Sequence, residues 1–194
     1  DGPSAARLVT IAGNVLGSQT RGIELKHVER VAITGNTIYD SAELSILAEH
    51  SSGLAIGSNT FVWRGDDDAP ARDGLKFVDC RDASLVGLVA RRLCHGTAEA
   101  GGAITLTRCE DFAISECQLL DSLVRGIEMT DCTRCRVSGN SIIDRREKPL
   151  MRQAVRIRGK SRDNLVQNNL LGGASQQLLD IPEGTAVLQG NTLL

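Results

Sequence analysis

A Gly-Asn pair followed closely by an aliphatic side chain returns along this chain at nearly regular intervals. It reads Gly13-Asn14-Val15-Leu16, Gly35-Asn36-Thr37-Ile38, Ser58-Asn59-Thr60-Phe61, Gly139-Asn140-Ser141-Ile142, Asn168-Asn169-Leu170-Leu171 and Gly190-Asn191-Thr192-Leu193. Leu88 and Cys117 fill the two remaining places. The column 14, 36, 59, 88, 117, 140, 169 and 191 advances by 22, 23, 29, 29, 23, 29 and 22 residues. A unit of about 22 residues with three insertions describes a solenoid, whose units stack because none can bury its apolar face alone.

Each unit is built from short period-two segments. An alternating stretch such as Val31-Ala32-Ile33 or Leu54-Ala55-Ile56 precedes the Asn, and another, as in Gly22-Ile23-Glu24-Leu25 or Gly126-Ile127-Glu128-Met129, lies about thirteen residues before it. Three such strands per unit leave no room for a helix. Stacking sets the aliphatics in columns: Ile23, Ile46, Leu75, Ile104, Ile127 and Val155 in the first strand, and Ile33, Ile56, Leu85, Ile114, Val137, Val166 and Leu188 in the second. The expected fold is all-β, a single right-handed parallel β-helix of about eight coils with three short strands each, spanning residues 1–194 as one domain. The Asn column forms a ladder at the second turn, where its amide bonds turn backbone and the amide of the next coil.

This pattern resembles the parallel β-helix repeat of the pectin-lyase-like superfamily, and the resemblance runs from about Leu8 to Leu194. That superfamily includes pectate lyases, polygalacturonases, alginate epimerases, phage tailspikes and non-catalytic sugar-binding modules, so the resemblance fixes the fold more closely than the chemistry. Polygalacturonases carry an Asp pair, then His-Gly, then an Arg-Ile-Lys strand. Here Asp66-Asp67-Asp68, His95-Gly96 and Arg156-Ile157-Arg158 follow in that order, but the acidic run lies in an insertion and Arg158 stands where Lys would be. The signature strings of pectate lyases and alginate epimerases are absent.

The insertions, Arg64 to Arg72, His95 to Gly101 and Arg145 to Gln153, all follow a third strand and precede the next first strand. Loops leaving one corner of successive coils rise together, which predicts a groove beside the outward face of the first strand. In the lyases and hydrolases that the chain resembles, this corner and strand build the saccharide cleft. The register puts Glu24, Leu47, Lys76, Thr105, Glu128 and Arg156 in one outward column, and Lys26, Glu49, Val78, Thr107, Thr130 and Arg158 in the next. Lys76, Asp73, Glu128, Arg156 and Arg158 are the candidate catalytic residues. Two arginines spaced by two on a strand make a fork suited to carboxylates such as uronic acids. An inverting hydrolase would set Asp67 or Asp73 against Glu128, with the carboxyl groups roughly 6.5 to 9.5 Å apart. A lyase of the superfamily would hold Ca²⁺ on acids such as Asp66, Asp67 and Asp68 and use a Lys or Arg base. Trp63, positioned to stack on a sugar, and Arg64, Asp67, His95, Arg125 and Arg145 are the candidate substrate-binding residues. Asp40, Asp121 and Asp144 share the Trp63 column, where Asp caps turns.

Charge narrows the partners. With 22 basic and 24 acidic residues and no basic run, nucleic acid is not an expected partner, and no apolar stretch is long enough to span a bilayer. Of six cysteines, Cys132 and Cys135 lack the companion pair of a zinc site, while Cys80, Cys109 and Cys132 share one column and should stack as small buried hydrophobes. A chain starting Asp1-Gly2-Pro3-Ser4 and ending three residues past a ladder Asn reads as a segment of a longer protein whose ends another domain or subunit covers. The expected role is action on, or binding of, an acidic polysaccharide or oligosaccharide by a secreted or cell-envelope protein. The alternative is a non-catalytic carbohydrate-binding or adhesion module, against which stand only 3% aromatic residues and few outward apolar positions.

Overall fold

The computed structural model describes residues 6–65, 73–93 and 95–194, so Asp66, Asp67 and Asp68 lie outside the described residues. Every regular element among the described residues is a strand, and no helix is long and apolar enough to cross a membrane. The strands form three parallel sheets, two of eight strands and one of seven, and each coil after the first, incomplete one contributes one strand to each sheet. This is a parallel β-helix with the coil boundaries that the repeat predicts.

The register follows the aliphatic columns. In the first-strand sheet, which includes Arg21–Lys26, Leu44–Glu49, Leu75–Val78, Ile104–Thr107, Arg125–Thr130 and Gln153–Arg158, Ile23 pairs with Ile46, then Leu75, Ile104, Ile127 and Val155 in turn. These six positions are buried, as is the second-strand column from Ile33 to Val166. Leu188, at the last coil, is half exposed. Alternation thus places one face of each strand in a continuous core and leaves the other for solvent.

Polar contacts lock successive coils together. The backbone N–H and the side-chain amide of Asn36 both donate to Asn59 Oδ1, at 2.9 and 3.0 Å, and Asn14 donates to Asn36 in the same way. Asn140, Asn169 and Asn191 repeat the pattern, with Cys117 N–H feeding Asn140 Oδ1 at 3.0 Å. Asn36, Asn59, Asn140 and Asn169 are buried, so their hydrogen bonds are required as well as stabilising. Cys80, Cys109, Cys132 and Cys135 are buried free thiols near the first turn, each donating to a backbone carbonyl. Burial, the main cause, pushes the Cys80 thiol up to about 11.

Candidate functional groove

All three insertions leave from the corner after the third strand. The Asp column there organises the first and third: Asp40 accepts from Arg64 N–H at 2.8 Å, and Asp121 from Arg145 N–H at 3.0 Å. Asp144 takes the amides of Arg146, Leu150 and Met151 at 3.1, 2.7 and 2.9 Å. An Asp side chain at a turn is the acceptor that exposed loop amides need.

The second insertion folds over the first-strand sheet and walls a pocket of about 410 Å³ lined by Lys76, His95, Gly96, Thr97, Ala100, Gly101, Thr105, Thr107, Glu128 and Thr130. A neighbouring pocket of about 360 Å³ is lined by Arg21, Glu43, Leu44, Leu47, Glu49 and again Lys76 and His95. Lys76 and His95 therefore stand where two concavities of one groove meet. Lys76 makes no ion pair among the described residues, and it lies close enough to His95 to act on its charge. Burial first, and the Lys76 charge second, hold the His95 pKa below the usual 6.5. A neutral imidazole beside a free ammonium is the result.

The other candidates sit as follows. Glu128 and Arg156 face the groove in register, but both are buried and paired: Arg156 Nε donates to Glu128 Oε2 at 2.6 Å, and Glu128 Oε1 accepts from Gly101 N–H at 3.0 Å. The expected Arg156–Arg158 fork is turned to the loop instead, since both arginines donate to Glu99 O, at 2.5 and 2.8 Å. Arg125 is 1% exposed, away from any saccharide, and its guanidinium takes the carbonyls of Thr97, Ala98 and Gly101 at 3.1, 2.6 and 3.0 Å. Burial, with the charge of Arg156 adding to it, pushes the Arg125 pKa down to about 10.

Asp73 does not face Glu128 across the groove. It is fully enclosed at the base of the first insertion, accepts from the Ser45 hydroxyl, and leaves Oδ2 without a hydrogen bond. Burial pushes its carboxyl up to about 6. Trp63 is 8% exposed and packs at the corner, so it covers the loop base and presents little ring to solvent. Arg64 lies over the Tyr39 ring at 4.3 Å and pairs with Asp40 at 2.7 Å, while Arg145 pairs with Asp121 at 2.5 Å. Asp67 lies outside the described residues. Sequence reading named the arginines but not their acceptors, because carbonyls such as Glu99 O carry no side-chain signature.

Another concavity, of about 330 Å³, surrounds the stacked rings of His27 and His50 at the first turn, but its Asp79 is engaged by Arg108 at 2.7 Å. Among the described residues no group of three or more His, Cys, Asp or Glu side chains is placed to hold a metal ion.

A family described as right handed beta helix region matches residues 4–192. The chain belongs to that family. The solved structures that this β-helix resembles are of the pectin-lyase-like type. One is the A-module of the mannuronan C-5 epimerase AlgE6 of Azotobacter vinelandii, with TM-score 0.63 at 10% identity over 96% of this chain and 58% of that one. Another is a point variant of the periplasmic alginate epimerase AlgG, with TM-score 0.63 at 12% identity over 94% of this chain and 51% of that one. A candidate glycosyl hydrolase from Parabacteroides merdae gives TM-score 0.56 at 16% identity over 94% of this chain and 84% of that one. This β-helix thus spans 58% and 51% of the two epimerases, and at these identities the likeness is one of fold. Comparison with curated proteins finds no match.

Proposed function

We propose that this β-helix binds an acidic polysaccharide along the first-strand groove and that Lys76 and His95 form its reactive centre. The observation that carries the reading is their juxtaposition: an unpaired ammonium group beside a half-buried neutral imidazole where two pockets meet. A uronate carboxylate seated on Lys76 Nζ loses negative charge, which acidifies the hydrogen on the adjacent carbon. A neutral His95 is a suitable acceptor for that proton. Its removal begins both elimination of the glycosidic substituent and inversion at the carbon. Hydrolysis suits this geometry less well, because it needs two carboxyl groups flanking the bond. Glu128 is engaged by Arg156 and Gly101, and Asp73 is enclosed elsewhere. The activities of AlgE6 and AlgG, both epimerases of an acidic polysaccharide, support this substrate class, and AlgG's periplasmic location supports an envelope or extracellular site.

The test incubates the protein with alginate, polygalacturonate and a neutral glucan, with and without Ca²⁺. Ultraviolet absorbance of unsaturated uronate and deuterium exchange at the uronate carbon are followed together. Turnover or exchange on an acidic polymer is expected, with Lys76→Gln or His95→Ala lowering it about 100-fold or more. The acid limb of the pH profile should fall below 6.5, where an unperturbed imidazole would put it. New reducing ends without either signal would indicate hydrolysis, and absence of both turnover and binding on acidic polymers would remove the reading.

A further inference from the structure

We infer that the preferred polymer is an acidic heteropolysaccharide whose uronates are separated by neutral sugars, in place of a polyuronate with a carboxylate on every residue. This rests on the acidic-polysaccharide reading above and concerns how charge is spaced along the same groove.

The floor of the groove carries little free positive charge. On the Glu24 side of Lys76, Arg21 is held by Glu24 and Glu43 at 2.9 and 2.7 Å, and Lys26 by Glu24 and Glu49 at 3.0 and 3.3 Å. Two cations there face three carboxylates, so that flank is net acidic. On the other side the outward positions are Thr105, Thr107 and Thr130, which offer hydroxyls and no charge. Beyond them Glu128 holds Arg156 and, at 3.5 Å, Arg125; the Arg125 guanidinium is buried and engaged by loop carbonyls, so it offers no charge at the groove surface. The next outward cation without a carboxylate partner is Arg158, which meets only the carbonyl of Glu99.

Along the ladder Val78, Thr107, Thr130 and Arg158 are successive partners, so Arg158 lies three coils beyond the Lys76 coil. At about 4.8 Å per coil, the two available cations are separated by about 14 Å. A polyuronate laid along this face would place carboxylates against an acidic flank and against threonines, where each is desolvated without a counter-charge. A chain with neutral sugars between its uronates meets one cation at the centre and hydroxyl partners beside it. Like-charge opposition of this kind discriminates as effectively as attraction does.

The experiment measures affinity by titration calorimetry for short fragments of polygalacturonate, of deacylated gellan, which has one glucuronate within a repeat of neutral sugars, and of a neutral glucan. Gellan fragments are expected to bind about tenfold more tightly than polygalacturonate of equal length, and Lys76→Gln to remove about tenfold of that affinity. Replacing two of the three acids, Glu43→Gln with Glu49→Gln, leaves Arg21 and Lys26 facing Glu24 alone, turns that flank net basic, and should raise polygalacturonate affinity severalfold while preserving the fold. Polygalacturonate binding as tightly as gellan, or more so, overturns the charge-spacing inference and leaves the acidic reading intact. Binding of the neutral glucan alone overturns both.

Discussion

The second and third insertions leave the same corner of the solenoid and are fastened by opposite chemistry. The second turns its carbonyls toward the sheet, and they are met by the buried cations Arg125 and Arg156 and by Arg158. The third turns its amides inward, and Asp144 receives them together with the Arg146 guanidinium at 2.7 Å. Burial alone would raise the Asp144 pKa, but Arg146 and the loop amides outweigh it and hold the carboxyl below its ordinary value. A loop whose carbonyls point inward needs buried donors, and one whose amides point inward needs a buried acceptor. Charged residues near these insertions therefore serve the loop before they serve a ligand. Among the described residues lining the centre of the groove, Lys76 is the cation left without an ion pair.

The largest test of this contrast is Arg125→Met, which strands Gly101 O and Gln153 in the interior and releases the part-buried carbonyls of Thr97 and Ala98. It should cost about 3 to 5 kcal/mol in urea unfolding and, by loosening the groove wall, abolish polymer binding. Asp144→Ala should cost about 2 to 3 kcal/mol, since it leaves the loop amides unmet and removes the carboxylate beside Arg146, yet leave polymer affinity unchanged because this loop does not line the groove pockets. Equal losses of affinity in both variants would break the comparison.

Asp73 sharpens it from the other direction, being an enclosed acid with no cation partner among the described residues. Its folded-state pKa of about 6 lies above the ordinary 3.8, so the folded chain holds a proton that the unfolded chain releases. Its contribution to stability is complete below the unfolded pKa and is lost as pH rises through about 6. Asp73→Asn should raise stability at neutral pH by on the order of 2 kcal/mol and flatten the slope between about pH 4 and 6, read from melting curves across that range. The smallest effect is expected for Glu128→Gln combined with Arg156→Met, within about 1 kcal/mol of the parent, because the pair is removed as a unit. Either single replacement should be worse than the double, and a thermodynamic cycle measures the difference.

The repeat made nearly all of the fold legible, because the Asn column, both aliphatic columns and the outward columns follow from a period of two within strands and about 22 between coils. The site was legible in position and only partly in role. Lys76 and His95 stand in the groove because register and insertion point place them there. Arg125 and Asp73 were misplaced for a common reason. Arg125 opens its first strand and Asp73 lies just before one, where the chain turns in from the corner and exposure no longer follows from alternation, so residue type alone predicted exposure. Arg156 lies at a true outward position, yet the loop covers it, and main-chain acceptors on a loop leave no trace in the sequence.

Between Asn59 and Asn140 the amide ladder is interrupted by Leu88 and Cys117, and these two residues belong to the coils that carry Lys76 and Thr105. Coupling in a stacked array acts between nearest neighbours, so the array opens most easily where a rung is missing. At the Leu88–Cys117 rung no ladder amide joins the two coils, which are held by backbone pairing, apolar packing and the Arg108–Asp79 pair at the first turn, while hydrogen-bonded amides brace the rungs on either side. The molecule is thus a rod with a soft line across it, and that line runs beneath Lys76 and His95. Flexing there would change the spacing of the groove floor without disturbing either braced half.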